Sequence, residues 1–268
     1  MRDDSRDRTE TPSAGTPPAV AGWRFVLATD LDGTFLGGTE AMRRTLYDWI
    51  EANRGEVGLI YVTGRDPDFL PEIWDQGVPV PDYVVGDVGT TIAEVRARRF
   101  ATIPALEADI AARWGDATDR VRALLDGAPG LVPQDTAFRY RMSYHYDPAA
   151  FDPSVIAPVE ALGLDVLISH ECYLDVLPGG VSKGPSLKRL LAHLGLAEDR
   201  VLVAGDTLND LSMFQTGLAG AVVGGAEAAL LQAVAGLPRA HVCRVPGAGG
   251  ILEAIAAHRL HPGVPEAA

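Results

Sequence analysis

The sequence predicts an α/β protein with a doubly wound, parallel-sheet (Rossmann-like) core and an inserted α+β domain. Three observations carry that reading. Short apolar runs without period-two polarity recur along the chain, the mark of strands buried on both faces. Segments with helical spacing of apolar residues alternate with them, as in βαβ units. Between residues 93 and 178 the pattern changes to half-exposed strands, which suit an open sheet covered on one face.

The first buried run is Phe25-Val26-Leu27-Ala28-Thr29. Thr39 is placed to cap a helix whose Met42, Leu46, Trp49 and Ile50 share a face, and Gly55 is placed to stop it. Gly58-Leu59-Ile60-Tyr61-Val62 is the second strand, a helix is expected over 68–76, and Tyr83-Val84-Val85 is the third strand. Inside the insert, helical patterns fall near 106–125 and 153–162. Residues 138–146 alternate: Phe138, Tyr140, Met142, Tyr144 and Tyr146 face one way, Arg139, Arg141, Ser143 and His145 the other. Leu187, Leu190, Leu191 and Leu194 then mark one apolar helix face. Val201-Leu202-Val203-Ala204 and Gly220-Ala221-Val222-Val223 are further buried strands. A helix over 227–235, a strand at His241-Val242-Cys243 and a helix over 250–258 complete the set. The core is thus expected over 23–92 and 179–262, with 93–178 as the insert.

Composition narrows the function classes. The chain has 268 residues, 47% of them hydrophobic, enough for a sizeable buried core. Its net charge of −13 repels phosphate backbones and anionic lipid, so nucleic-acid and membrane-surface partners are not expected. A phosphorylated substrate would need local positive charge or a metal cation. The two cysteines, Cys172 and Cys243, make no disulfide framework and fit a reducing compartment. Residues 1–22 are charged and proline-containing without an apolar h-region, which reads as a disordered tail rather than a secretory signal. No long uncharged apolar run is present. A cytoplasmic monomer or dimer is expected.

Three buried strands end in polar loops: Asp30-Leu31-Asp32-Gly33-Thr34, Thr63-Gly64-Arg65-Asp66 and Gly205-Asp206-Thr207-Leu208-Asn209-Asp210. Ligands of open parallel sheets bind outside the carboxyl ends of the strands, so these loops are expected to meet. That would gather Asp30, Asp32, Asp206 and Asp210. Like charges so close raise each other's pKa, and a hard divalent cation, Mg²⁺, relieves the crowding. Calcium in an EF-hand loop is disfavoured, since the sixth residue from Asp30 is Phe35 rather than Gly.

Asp30-Leu31-Asp32-Gly33-Thr34, Thr63-Gly64-Arg65, Lys183 and Gly205-Asp206-Thr207-Leu208-Asn209-Asp210 resemble the four motifs of the haloacid dehalogenase superfamily, in the family's order. The insert resembles the C2-type cap of its sugar phosphatases. Val88-Gly89-Thr90, Arg141-Met142-Ser143-Tyr144, Tyr173-Leu174-Asp175-Val176-Leu177-Pro178, Ser182-Lys183-Gly184 and Gly249-Gly250-Ile251-Leu252-Glu253-Ala254 resemble the sucrose-phosphate phosphatase group. The resemblance spans about residues 23 to 260, with Leu208 standing where the group often has Gly.

The residues suit that chemistry on physical grounds. Asp30, rigidly placed after a buried strand, is the expected nucleophile of an aspartyl-phosphate route. Asp32 is the expected acid and base, and the resemblance implies that its backbone carbonyl contacts the metal. Asp206 completes the Mg²⁺ shell, and Asp210 acts through a water or by orienting Asp206. Thr63, Gly64, Asn209 and Lys183 are expected on the phosphate, with Lys183 supplying the compact positive charge. Arg141, Ser143 and His145, with Arg139 nearby, are expected to contact sugar hydroxyls. Arg65 and Asp66 read as an ion pair at a helix start, and Tyr140, Tyr144 and Tyr146 as cap core. His170 and Glu171 lie near the cap's end, close to the expected sugar pocket. The expected activity is Mg²⁺-dependent hydrolysis of a sugar or glycoside phosphate, with sucrose phosphate the nearest analogy. Trehalose, glycosylglycerol, glycosylglycerate, amino-sugar and cyclitol phosphates stay open, as do a sugar phosphomutase and a catalytically silent sugar-phosphate sensor.

Overall fold

The computed structural model describes residues 20–136, 138–169 and 172–267. His170, Glu171 and all but the last three residues of the expected tail lie outside the described residues. The chain opens with β1 (Phe25–Thr29), α1 (Glu40–Ala52), β2 (Val57–Val62), α2 (Leu70–Asp75) and β3 (Tyr83–Gly86), then a hairpin of β4 (Thr91–Arg96) and β5 (Arg99–Thr102). The insert carries α3 (Pro104–Trp114), α4 (Ala117–Leu125), β6 (Leu131–Pro133), β7 (Met142–Tyr146), α5 (Ile156–Glu160), β8 (Leu164–Ser169) and β9 (Tyr173–Pro178). The core resumes with α6 (Lys183–Leu194), β10 (Val201–Gly205), α7 (Leu211–Phe214), β11 (Ala219–Gly224), α8 (Ala228–Val234), β12 (Ala240–Pro246) and α9 (Gly247–Ala257).

The core sheet has eight strands in the order β12-β11-β10-β1-β2-β3-β4-β5, and the insert has a four-stranded sheet ordered β6-β7-β9-β8. Pairings from β12 through to β3 are parallel, while β4 and β5 add antiparallel. The boundary expected at residue 93 therefore falls inside a core strand. The 91–102 hairpin extends the main sheet, because Val84 and Val85 pair with Ala93 and Ile92. It reads as insert in sequence because Glu94, Arg96 and Arg99 leave it half exposed, as an edge can be.

Alternation along the doubly buried strands builds one core on each sheet face. Phe25 and Leu27 pack with Leu46, Trp49, Ile251 and Ile255 from α1 and α9. Val26 and Ala28 pack with Leu187, Leu190 and Leu191 of α6. A third cluster, around Trp114, Val121, Tyr144, Leu174 and Val176, is the insert's own core. Thr39 caps α1 as expected, accepting from the Met42 amide at 3.2 Å. The helix ends earlier than expected, at Asn53 rather than Gly55, and the Asn53 side-chain amide donates to the Trp49 carbonyl at 2.7 Å.

The expected strand over 138–146 is only five residues long. Met142 pairs with Val176, so the position opposite Tyr140 would be Pro178, which has no N–H to give. Within β7 the expected alternation holds for Tyr144 and Tyr146, whose side chains join the insert's core.

The chain runs from β1 outward through β2 and β3, and returns to β1's other side through β10. That reversal opens a crevice at the carboxyl ends of β1 and β10. Leu27→Ala, beneath this rim and fully buried, is expected to lower unfolding free energy by about 2–5 kcal/mol. Denaturant titration would show it as a lower midpoint with an unchanged slope.

Candidate active site

Asp30 follows the last residue of β1, and its amide donates to the Ala204 carbonyl of β10 at 2.9 Å. The side chain therefore stands at the crevice, 6% exposed. The following turn is tight: Phe35 N–H returns to the Asp30 carbonyl at 3.2 Å and Leu36 N–H to the Leu31 carbonyl at 2.8 Å. Gly33 makes that turn with φ +75°, and a Cβ there would lie 2.1 Å from Asp206 Oδ2. Only glycine permits both the backbone angle and the approach. Thr34 Oγ1 donates to Asp206 Oδ1 at 2.8 Å, which ties the first loop to the one after β10.

Lys183, the first residue of α6, is fully buried. Its ammonium donates to Asp30 Oδ1 at 2.6 Å, Asp210 Oδ1 at 2.6 Å and Asn209 Oδ1 at 2.9 Å. Burial opposes the charge, but the Asp210 and Asp30 carboxylates more than offset it and hold Lys183 protonated well above the usual lysine range. Asp210 is saturated, since Oδ2 accepts the amides of Asp206 at 3.0 Å and Thr207 at 3.1 Å. Burial, with the Asp210 and Asp206 charges added and Lys183 opposing, pushes the Asp30 carboxyl up to about 8. Oxygens of Asp30, Asp206 and Asp210 lie within 4.8 Å of one another.

Thr63 and Gly64 complete the rim. Thr63 is buried, with its amide on the Val85 carbonyl at 2.8 Å. A Cβ on Gly64 would lie 3.9 Å from Asn209 Nδ2, so the second loop faces the last one. Gly89, at φ +105°, lets the turn after β3 lie against the Ser182 carbonyl, where a Cβ would sit 2.5 Å away.

Two expectations fail here. The Asp32 carboxylate does not join the acidic cluster, because Arg65 holds both its oxygens, Nε to Oδ2 at 2.7 Å and a terminal nitrogen to Oδ1 at 2.6 Å. Arg65 thus pairs across the crevice rather than with Asp66, whose Oδ1 accepts the Asp68 amide at 2.9 Å. The two diverge because Asp66 caps the turn that starts at Pro67.

The cap residues divide. Arg141 is 5% exposed and shared between Asp175 of β9 and Asp87 of the core, each at 3.3 Å. Ser143 donates to Asp175, its neighbour in register across β7 and β9. Both are therefore held by partners inside the cap and at its seam with the core. His145 is exposed beside the Tyr173 ring, 5.9 Å away. Tyr144 is core, its hydroxyl donating to Asp126 at 3.0 Å. Arg139 alone of the expected sugar contacts lines a cleft, of about 560 Å³, with Asp66, Asp68, Asp87, Thr91 and Phe138. Such a volume accommodates a small ligand. Sequence reasoning missed Asp87, whose φ of +51° and that of Val88, +57°, mark a strained turn.

Sequence motifs and geometry now agree on the class. The chain is a phosphatase of the haloacid dehalogenase superfamily, a phosphoric monoester hydrolase. More narrowly, the family model for sucrose-6F-phosphate phosphohydrolase matches residues 23–259, and the chain belongs to that family. It is 28% identical over 250 residues to mannosylfructose-phosphate phosphatase of Agrobacterium fabrum, covering 88% of this chain and 98% of that one. It is 42% identical over 232 residues to glucosylglycerol-phosphate synthase of Pseudomonas anguilliseptica. That match takes in 86% of this chain but spans only 30% of the synthase. Among solved structures, the sucrose-phosphatase of Synechocystis sp. PCC6803, in complex with sucrose and phosphate, superposes with a TM-score of 0.80 at 29% identity. The superposition covers 88% of this chain and 98% of that one. Among the described residues no helix is long and apolar enough to cross a membrane.

Lys183→Met removes the cation that bridges Asp30 and Asp210. Unpairing two buried carboxylates is expected to lower unfolding free energy by about 3–5 kcal/mol at neutral pH. Denaturant melts of the two proteins side by side would measure it.

Proposed function

We propose that this protein hydrolyses the phosphate ester of a glycoside, with Mg²⁺ as cofactor and an aspartyl-phosphate on Asp30. The carrying observation is the buried Lys183 ammonium fixed between Asp30 and Asp210, a positive charge held beside a crevice carboxylate.

The donor set fits a hard cation, being all oxygen with one atom from each of three carboxylates within 4.8 Å of the others. Asp30 and Asp206 would hold the ion. Asp210, saturated by Lys183 and two amides, orients the Asp206 loop. Asp32 would offer its backbone carbonyl, its carboxylate being on Arg65. Mg²⁺, when bound, neutralises charge on the phosphoryl oxygens and the crowded carboxylates.

Asp30 attacks phosphorus in line, the bond from phosphorus to the sugar oxygen breaks, and Asp32 protonates that leaving oxygen. Asp32 then takes a proton from water as the water oxygen attacks phosphorus. The bond to Asp30 breaks and inorganic phosphate leaves. Thr63 Oγ1, the Gly64 N–H and Asn209 Nδ2 donate to the phosphoryl oxygens while Lys183 stays charged. Asp32 must turn off Arg65 to do this. Both side chains are half exposed, and such pairs contribute only about 0–1 kcal/mol, so the turn is cheap.

The cleft beside Arg139 receives the leaving group. With Asp87 on Arg141 and Arg139 on Glu107, Asp66 and Asp68 leave the cleft negative, which suits a neutral polyol and disfavours a glycerate. The 42% identity to the glucosylglycerol-phosphate synthase region, against 28% to the mannosylfructose-phosphate phosphatase, favours glucosylglycerol phosphate. Phosphate release across glucosylglycerol, sucrose, mannosylfructose, glycosylglycerate and aryl phosphates is expected to give the highest kcat/KM with the first. Equal values throughout would overturn the substrate reading.

Asp30→Asn is expected to abolish phosphate release, which a silent sensor would not register in its sugar-phosphate binding. Asp32→Ala is expected to lower kcat about 10²–10⁴-fold on sugar phosphates and much less on aryl phosphates, whose leaving groups need no proton. Mg²⁺ binding carries its own signature. The Asp30 proton competes with the ion below its pKa of about 8, so apparent affinity should rise with pH up to that value and level above it. Calorimetric titration at several pH values would test the sign.

A further inference from the structure

At the far edge of the sheet, β12 and α9 bring together a second group of ligating side chains. His241 and Cys243 stand two residues apart on β12 and so share a face. Glu253 reaches them from α9. His241 Nε2 and Glu253 Oε1 lie 3.1 Å apart, and one ligand atom from each of the three residues falls within 4.8 Å of the other two. The Cys243 thiol is buried, pointing at the Gly250 carbonyl at 3.2 Å. Glu253 is already oriented, because Oε2 accepts the amides of Arg244 at 2.9 Å and Val245 at 3.1 Å. That leaves Oε1 turned toward the histidine.

We propose that His241, Cys243 and Glu253 form a binding site for one borderline-soft divalent transition-metal ion, Zn²⁺ or a close analogue, separate from the catalytic carboxylates. Bond lengths of about 2.0–2.2 Å from zinc to nitrogen and oxygen set tetrahedral N and O ligands roughly 3.3 Å apart, close to the separation already present. The thiol lies within 4.8 Å of both other ligand atoms. On binding, the thiol proton leaves to solvent and the sulfur–metal bond replaces it. Thiolate and carboxylate then balance the 2+ charge, and a water takes the fourth position. The two clusters differ in softness: thiolate and imidazole select a transition metal, whereas the all-oxygen set around Asp30 suits Mg²⁺. The ion would staple β12 to α9, whose Ala248 amide donates to the Gly37 carbonyl at 3.3 Å, at the end of the loop that carries Asp30 and Asp32.

The test uses the full chain freed of metal by chelation and titrated with Co²⁺. One equivalent should produce a sulfur-to-cobalt charge-transfer band with tetrahedral d–d absorption, and Zn²⁺ should bleach it. Cys243→Ser and, at the half-exposed position, His241→Gln should each lose the band, while Asp30→Asn and Cys172→Ser keep it. Zn²⁺ should also raise Tm for the parent chain but not for His241→Gln. No thiolate band at saturating Co²⁺, or a band lost with Cys172 instead of Cys243, would overturn the site.

Discussion

An ammonium group with no access to water organises this molecule. Removing one such charge from solvent costs several kcal/mol, and Lys183 recovers it only if every acceptor around it is held in place. Its three acceptors come from two different places in the chain: Asp30 at the end of β1, and Asn209 with Asp210 in the loop after β10. The lysine itself begins α6. Its position therefore demands that β1 and β10 be neighbours and that α6 start beneath their carboxyl ends. The parallel pairing of Val26 to Thr29 with Val201 to Ala204 supplies the first condition. The apolar face of Leu187, Leu190 and Leu191 on Val26 and Ala28 supplies the second.

The same constraint explains the small residues at the rim. Two negatively charged loops can close around one cation only if their backbones come near contact. At Gly33 and Gly89 a Cβ would strike Asp206 Oδ2 and the Ser182 carbonyl respectively, and both positions also need positive φ. Asp206 joins two carboxylates already sharing one ammonium, which leaves the cluster two positive charges short. Burial then drives the Asp30 carboxyl upward.

Much of this was legible in the residues alone. Doubly buried strands have a distinct pattern, and their ends place Asp30, Thr63, Gly64, Asp206, Asn209 and Asp210 at one rim before any coordinates exist. What escaped depends on register and direction, which composition does not carry. Ser143 faces Asp175 because β7 and β9 pair with those two positions opposite. Nothing in the run from Arg141 to Tyr144 names that partner. Arg65 sits next to Asp66 in sequence, yet the Asp66 carboxylate is taken by its own turn and the arginine extends to Asp32. The hairpin of β4 and β5 resembles insert from residue 93 on because an edge strand bears charges that a central strand excludes.

One strained turn lies at the seam between core and cap, which the Arg189–Asp109 and Arg139–Thr91 contacts also cross. Asp87 and Val88 both have positive φ, a conformation costing about 1–3 kcal/mol per residue. The surroundings hold it: the Asp87 amide donates to the Arg65 carbonyl at 2.9 Å and the Val88 amide to the Thr63 carbonyl at 3.2 Å. The turn is thus bolted to the loop that bears Thr63, Gly64 and Arg65. On its other side Asp87 receives the cap's Arg141, while Thr91 Oγ1 donates to Asp87 Oδ2 at 2.6 Å. Burial raises the Asp87 carboxyl and the Arg141 guanidinium opposes that rise, so the pair gains most when the cap is seated. A shift of the cap would have to unpair a buried guanidinium from Asp87, or drag the phosphate-facing loop with it. Cap position and catalytic-loop geometry are therefore joined through the Asp87 carboxylate, and the Val88-Gly89-Thr90 run is the backbone that makes the joint.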